Sequence, residues 1–181
     1  VKGKENTSKE FDPTGDTVYV DLDELSDERR TFTYNDYAVE GGSRPFLWQP
    51  DGIWFIKRME LVVTWTDDTP YFRHENLPDT FEGRIAAETG EEVVGNGSSS
   101  TSTLSGEMRC SIEFDKYILM TSVPGLDLPP EIVVADITVN VTCTEAGDQV
   151  PIGTGWLEFA DDGNSFAATL NVDCKVYERS S

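Results

Sequence analysis

Acidic side chains crowd two stretches of this chain. Asp67, Asp68, Glu75 and Asp79 fall in one polar stretch, and Asp161, Asp162 and Asn164 in another. Calcium takes about six to eight oxygens from carboxylates, amides and backbone carbonyls. Asp67, Asp68, Asp79, Asp161 and Asp162 are therefore the candidate metal ligands, with calcium as the cation. Neither stretch has the spacing of an EF-hand loop or of a nonapeptide repeat. Turn formation and solubility explain the same residues without a metal, and that explanation carries more weight. No other cofactor is implied.

Catalytic chemistry finds little to work with. His74 is the only histidine, and Arg73-His74-Glu75 matches no nucleophile or acid–base motif. Acidic residues are so numerous that a carboxylate pair by itself says nothing about glycoside hydrolysis. Cys110, Cys143 and Cys174 lack CxxC or other metal-ligand spacing. Each falls at an inward position of an alternating segment, which suits buried free thiols. One disulfide plus one thiol is the alternative for an exported chain. Asn6, Asn96 and Asn140 each head an N-x-S/T sequence and are candidate glycosylation sites. Trp48, Trp54, Tyr71 and Phe72 lie near strand ends, where they would pack the core edge or form a sugar platform or subunit contact. The reading is of a protein that is not an enzyme.

The balance of charge excludes some partners. Fourteen basic residues stand against 34 acidic ones among 181, a net charge of −20. Nucleic acid and anionic membrane surfaces need cationic patches, so neither is expected. A saline medium, a cation-rich site or a surface kept soluble by charge would each suit such a chain. No apolar run approaches the roughly 20 residues of a membrane-spanning helix. The first residue is Val1, as in an exported chain already processed or an excised domain; a secreted, cell-surface location is the expectation.

The elements that would position these residues are strands. Residues 57–83 set the pattern: Met59, Leu61, Val63 and Trp65 alternate with Arg58, Glu60, Val62 and Thr64, the period of a half-buried strand. Asp67 to Pro70 ends it, and Phe81 and Ile85 resume the alternation beyond the acidic stretch. Later, Met108, Cys110, Ile112 and Phe114 form one apolar row. Ala135, Ile137, Val139, Val141 and Cys143 form a second, within one strand expected over residues 132–144. Phe166, Ala168, Leu170, Val172, Cys174 and Val176 form a third. A short strand over residues 156–159 and a hairpin turn at residues 161–164 would precede it. Residues 23–30 suggest a helical turn and residues 95–103 a flexible loop. No segment keeps a 3.6-residue period. The fold class is all-β: an antiparallel β-sandwich of Ig-like or jelly-roll type, with about eight to ten strands. Residues 1–16 form a polar arm without periodicity, and residues 17–181 one sandwich domain.

Three segments, taken in order, resemble a known group. They are Val63-Thr64-Trp65-Thr66-Asp67-Asp68 with Asn76-Leu77-Pro78-Asp79-Thr80-Phe81, then Ala146-Gly147-Asp148-Gln149-Val150-Pro151, then Asp161-Asp162-Gly163-Asn164-Ser165-Phe166. They are similar to archaeal extracytoplasmic β-sandwich proteins, usually membrane-anchored and of unassigned activity. The resemblance covers roughly residues 59–176 and implies an archaeal source and a cell-surface location. It transfers no active site.

These readings converge on a structural subunit that assembles with copies of itself into an extracellular filament or surface layer, without insertion of the mature chain in a membrane. Its assembly residues would be Val18, Val20 and Leu22, on an N-terminal strand over residues 17–22 donated to a neighbour's sheet. A jelly-roll capsid protein and a calcium- or carbohydrate-dependent adhesion module are the alternatives.

Overall fold

The computed structural model describes residues 17–153 and 157–178. The arm at residues 1–16, with Asn6, lies outside the described residues, as does Trp156. The described strands are β1 (Val18–Tyr19), β2 (Asp27–Val39), β3 (Ser43–Pro45), β4 (Ile53–Thr66), β5 (His74–Asn76), β6 (Thr80–Ala87), β7 (Glu92–Ser98), β8 (Ser105–Leu119), β9 (Leu126–Asp127), β10 (Ile132–Val134), β11 (Ile137–Glu145), β12 (Gln149–Pro151) and β13 (Gly163–Tyr177).

Two sheets face each other. The first runs in the order β10-β8-β4-β13-β2 and the second β3-β11-β6-β7. Long antiparallel registers hold the first sheet, with Leu170 of β13 opposite both Phe32 of β2 and Leu61 of β4. The alternating apolar rows meet between the layers, as their period requires. Met59, Leu61, Val63, Trp65, Phe81, Ile85, Met108, Phe114, Val141, Phe166, Leu170 and Val172 are all buried there. Trp65 packs on Phe81 at 4.7 Å, and Phe81 on Phe166 at 5.7 Å. Each such side chain, fully buried, stabilises the fold by about 1.5–3 kcal/mol.

A bulge at Lys57 interrupts the β4–β13 register, with Arg58 opposite Asp173 and Ile56 opposite Cys174. The extra residue lets Trp54 and Ile56 point into the main core while Phe55 points to the opposite face. There Phe55 anchors a smaller core with Val20, Leu119, Ile132 and Tyr177.

That smaller core corrects the assembly residues. β1 pairs in parallel with β9 of its own chain. Val18 donates its backbone N–H to the Gly125 carbonyl at 2.7 Å, and Val20 to Asp127 at 3.0 Å. Val18 and Val20 are buried, and Leu22 packs on the smaller core. Their apolar face is used within the subunit, so these three residues are not a strand to donate. The strand itself is short, because Leu22–Glu24 turn into a 3-10 helix capped by Asp21.

Other expectations shift for local reasons. Residues 27–30 are strand rather than helical turn, because Arg29 stands opposite Asp173 and binds both its carboxylate oxygens, at 2.7 and 3.0 Å. The strand expected over residues 132–144 is two, β10 and β11, in different sheets. Ala135 and Asp136 carry the chain across, and Ala135 donates to the Leu119 carbonyl at 3.1 Å. Residues 95–98 of the expected flexible loop belong to β7. Residues 161–164 do not close a hairpin: β13 begins at Gly163 and pairs with β2 and β4. Phe159 makes only an isolated bridge to Gln149.

Candidate functional site

One end of the sandwich gathers acidic groups from strands far apart in sequence. Asp67 follows the last residue of β4, Asp79 precedes β6, and Asp161 lies two residues before β13. Carboxylate oxygens of these three lie within 4.8 Å of one another. Antiparallel order explains the convergence: β4 ends where β6 and β13 begin. Three of the five candidate ligands thus come together. Asp68 and Asp162 do not join them, because both side chains face solvent. Their backbones serve the loops instead: the Asp68 N–H donates to Asp67 Oδ1 at 2.8 Å, and the Asp162 carbonyl accepts from Glu40 at 2.8 Å.

Neutral donors surround the cluster. Asp67 Oδ2 accepts from the Ser99 hydroxyl at 2.8 Å, and Asp67 Oδ1 from Asn76 Nδ2 at 3.2 Å. Asp79 Oδ1 accepts from the Gly147 N–H at 2.8 Å, and Oδ2 from Asn164 Nδ2 at 2.5 Å. Asp161 Oδ1 accepts from the Gly163 N–H at 3.1 Å, an Asx turn that sets the entry to β13. Gly147 has to be glycine, since a Cβ there would sit 1.8 Å from the Leu77 carbonyl oxygen. Ser99 ties the loops together from both sides: its hydroxyl also accepts from the Asp79 N–H at 2.9 Å, and its own N–H donates to the Asp79 carbonyl at 2.8 Å.

No ion pair among the described residues reaches Asp67, Asp79 or Asp161. Burial pushes the Asp79 carboxyl up to about 6, with the charges of Asp67 and Asp161 adding and the Gly147 and Asn164 hydrogen bonds opposing. Asp161 is raised as well, first by burial and then by neighbouring aspartates. The Asn76 Oδ1 is buried without a hydrogen-bond partner among the described residues. Such an arrangement can accept a divalent cation or a proton.

Ser99, Gly147 and Asn76 are absent from the sequence-based set. A serine after a glycine-rich strand and a glycine in a loop carry no chemical signal of their own. Only the fold brings them to the carboxylates.

Groups with chemical potential elsewhere are occupied. His74 is buried, with Nδ1 2.8 Å from the Phe72 carbonyl and Nε2 2.6 Å from the Leu157 carbonyl. The three cysteines are free and buried, so the disulfide alternative is not formed. Burial pushes each thiol up to about 11, far from the thiolate that a nucleophile requires. Trp54 is buried and Trp48 packs edge-on to Phe32 at 5.5 Å, so both serve the core. Tyr71 and Phe72 are exposed, Tyr71 stacking on Phe159 at 5.0 Å. Of the glycosylation candidates, Asn96 is exposed on β7 and Asn140 half-exposed on β11.

Fold and site together define an all-β sandwich with an acidic loop end. The sequence matches no protein-family model, and a search of curated proteins finds no match.

Proposed function

We propose that this chain is a non-enzymatic structural subunit of an extracellular assembly built from copies of itself, as a filament or surface layer. One observation carries the reading: the first sheet ends on β2, a 13-residue strand that among the described residues is paired only on its β13 side. A long unpaired edge is a template for another strand, and natural sandwiches blunt such edges unless they use them. A net charge of −20 suits a saline exterior, where salt screens repulsion between copies. The occupied state of His74 and the three thiols supports a structural rather than a catalytic role. Electron microscopy of purified protein at high salt tests the reading. Ordered polymers are expected; dispersed monomers at every salt and protein concentration would contradict it.

The acidic loop end favours a second reading, a calcium-dependent module. Among the described residues, Asp67, Asp79 and Asp161 converge without a cationic partner, and the Asn76 amide touches Asp67 with an unsatisfied oxygen beside it. Calcium at about 100 times its dissociation constant would stabilise the fold by about 2.7 kcal/mol. The melting temperature of the wild type should then rise with calcium, and that of Asp67→Asn should not. Equal responses in both proteins would remove the site.

A further inference from the structure

β2 carries a code for pairing with itself. In a strand, the backbone N–H and C=O groups of successive residues point alternately to either neighbour. The Glu40 N–H, just past β2, donates to Asp162 on the β13 side at 2.8 Å. Even-numbered residues of β2 therefore serve β13, and odd-numbered ones face outward. Tyr37 confirms the parity. Its N–H donates to Asp36 Oδ1 at 2.8 Å, and its carbonyl accepts from Arg44 Nε at 2.9 Å. These two contacts close the upper end of the edge. Below it, Arg29, Thr31, Thr33 and Asn35 are exposed, and β2 has no strand partner on that side among the described residues.

We infer that β2 pairs antiparallel with β2 of a second copy across a twofold axis at Thr33, joining the two five-stranded sheets into one. A twofold axis normal to the sheet sets some residue opposite its own copy, so the register reduces to choosing that central residue. With Thr33 at the centre, Arg30 meets Asp36 of the other copy, twice by symmetry. Phe32 meets Tyr34, an aromatic cross-strand pair, also twice. Centring on Phe32 would set Glu28 against Asp36, like against like. No other centre from Thr31 to Asn35 opposes unlike charges within β2. Asp36 carries a charge at this edge: the Tyr34 hydroxyl donates to it, which holds the group below the usual carboxylate range, and Arg44 Nε lies 3.8 Å from its Oδ2, so that Arg30 of the other copy would join an existing exposed pair. Arg30, which touches Glu28 and lies 5.8 Å from the Trp54 ring, is exposed at the same edge. Outward pointing at Thr31, Thr33 and Asn35 supplies roughly six backbone hydrogen bonds across the axis.

This interface rests on the self-assembly reading and names one of its contacts. A twofold contact closes on itself, so a polymer would need a second contact elsewhere. Cysteine cross-linking reads the register directly. Opposed residues of a hydrogen-bonded antiparallel pair have Cα atoms about 5.5 Å apart, within the roughly 4.4–6.8 Å that a disulfide spans. Under mild oxidation Thr33→Cys should give a covalent dimer. Thr31→Cys should not, since its own copy would lie about 13 Å away along the strand. The double variant with Thr31→Cys and Asn35→Cys should cross-link again. The wild type controls for its buried thiols. In sedimentation, Arg30→Asp should weaken dimerisation about tenfold or more, and adding Asp36→Arg should restore it.

Cross-linking at Thr33 with rescue by the double charge swap supports the interface. Polymers that form while Thr33→Cys stays uncross-linked overturn this interface and leave the self-assembly reading intact. Covalent dimers without any larger species leave the interface standing and remove the polymer. Neither dimers nor polymers overturns both.

Discussion

At Asp79, burial and charge are in direct conflict. The residue is fully buried, its carboxyl is pushed up to about 6 by burial, and two further carboxylates lie beside it. The folded value lies above the unfolded one of about 3.9, so the folded state holds this proton more tightly. The resulting stabilisation is fully present below about pH 4 and is lost as pH rises through about 6, a change on the order of 2–3 kcal/mol. Asp161, also raised, adds in the same direction. Asp79→Asn removes this dependence. Its melting temperature relative to wild type should climb between pH 4 and pH 7; a constant difference across that range would show that Asp79 does not titrate as described. Asp67, Asp79 and Asp161 were visible in the sequence as acidic turn residues. What the sequence could not show is which of the five candidates would meet. Asp68 and Asp162 have the same chemistry and adjoin the right residues, yet the loops that carry them turn their side chains to solvent.

At the level of elements, the alternating rows were legible because each has one buried and one exposed face. Met59 to Trp65, Met108 to Phe114 and Phe166 to Val172 point inward as their period demands. The crossing at Ala135 and Asp136 was hidden, since apolar alternation continues through a change of sheet. β7 was hidden for the opposite reason. Gly95 and Gly97 read as looseness, whereas both serve close approach: a Cβ at Gly97 would lie 2.3 Å from the Glu107 carbonyl oxygen of β8. Gly97→Ala should lift β7 from β8 and cost about 1–3 kcal/mol in denaturant melts; an unchanged midpoint would mean that β7 is not pressed on β8. Proline separates the two sides of β2. Thr33→Pro removes an outward N–H and leaves the β13 ladder whole, so the monomer should stay folded while edge pairing is lost. Tyr34→Pro removes an inward N–H and should cost about 3 kcal/mol or more. Circular dichroism and sedimentation of the two variants check this; a Thr33→Pro variant that unfolds while Tyr34→Pro stays folded would place the parity of β2 the other way round.

For the whole molecule, net charge and sheet edges act against each other. Two copies that each carry a charge of −20 repel at long range, while the edge of β2 offers attraction only at contact. Raising salt shortens the repulsion to about 3 Å at 1 M, below the reach of most exposed charges. Self-association of this chain should therefore strengthen with salt, even though its Arg30–Asp36 contacts weaken. The most direct measurement is sedimentation of the purified protein from low to molar salt, with electron microscopy of the same samples. Growth from monomer through a cross-linkable dimer to ordered polymers as salt rises is the predicted result. A protein that remains monomeric at high concentration throughout that range would contradict the account.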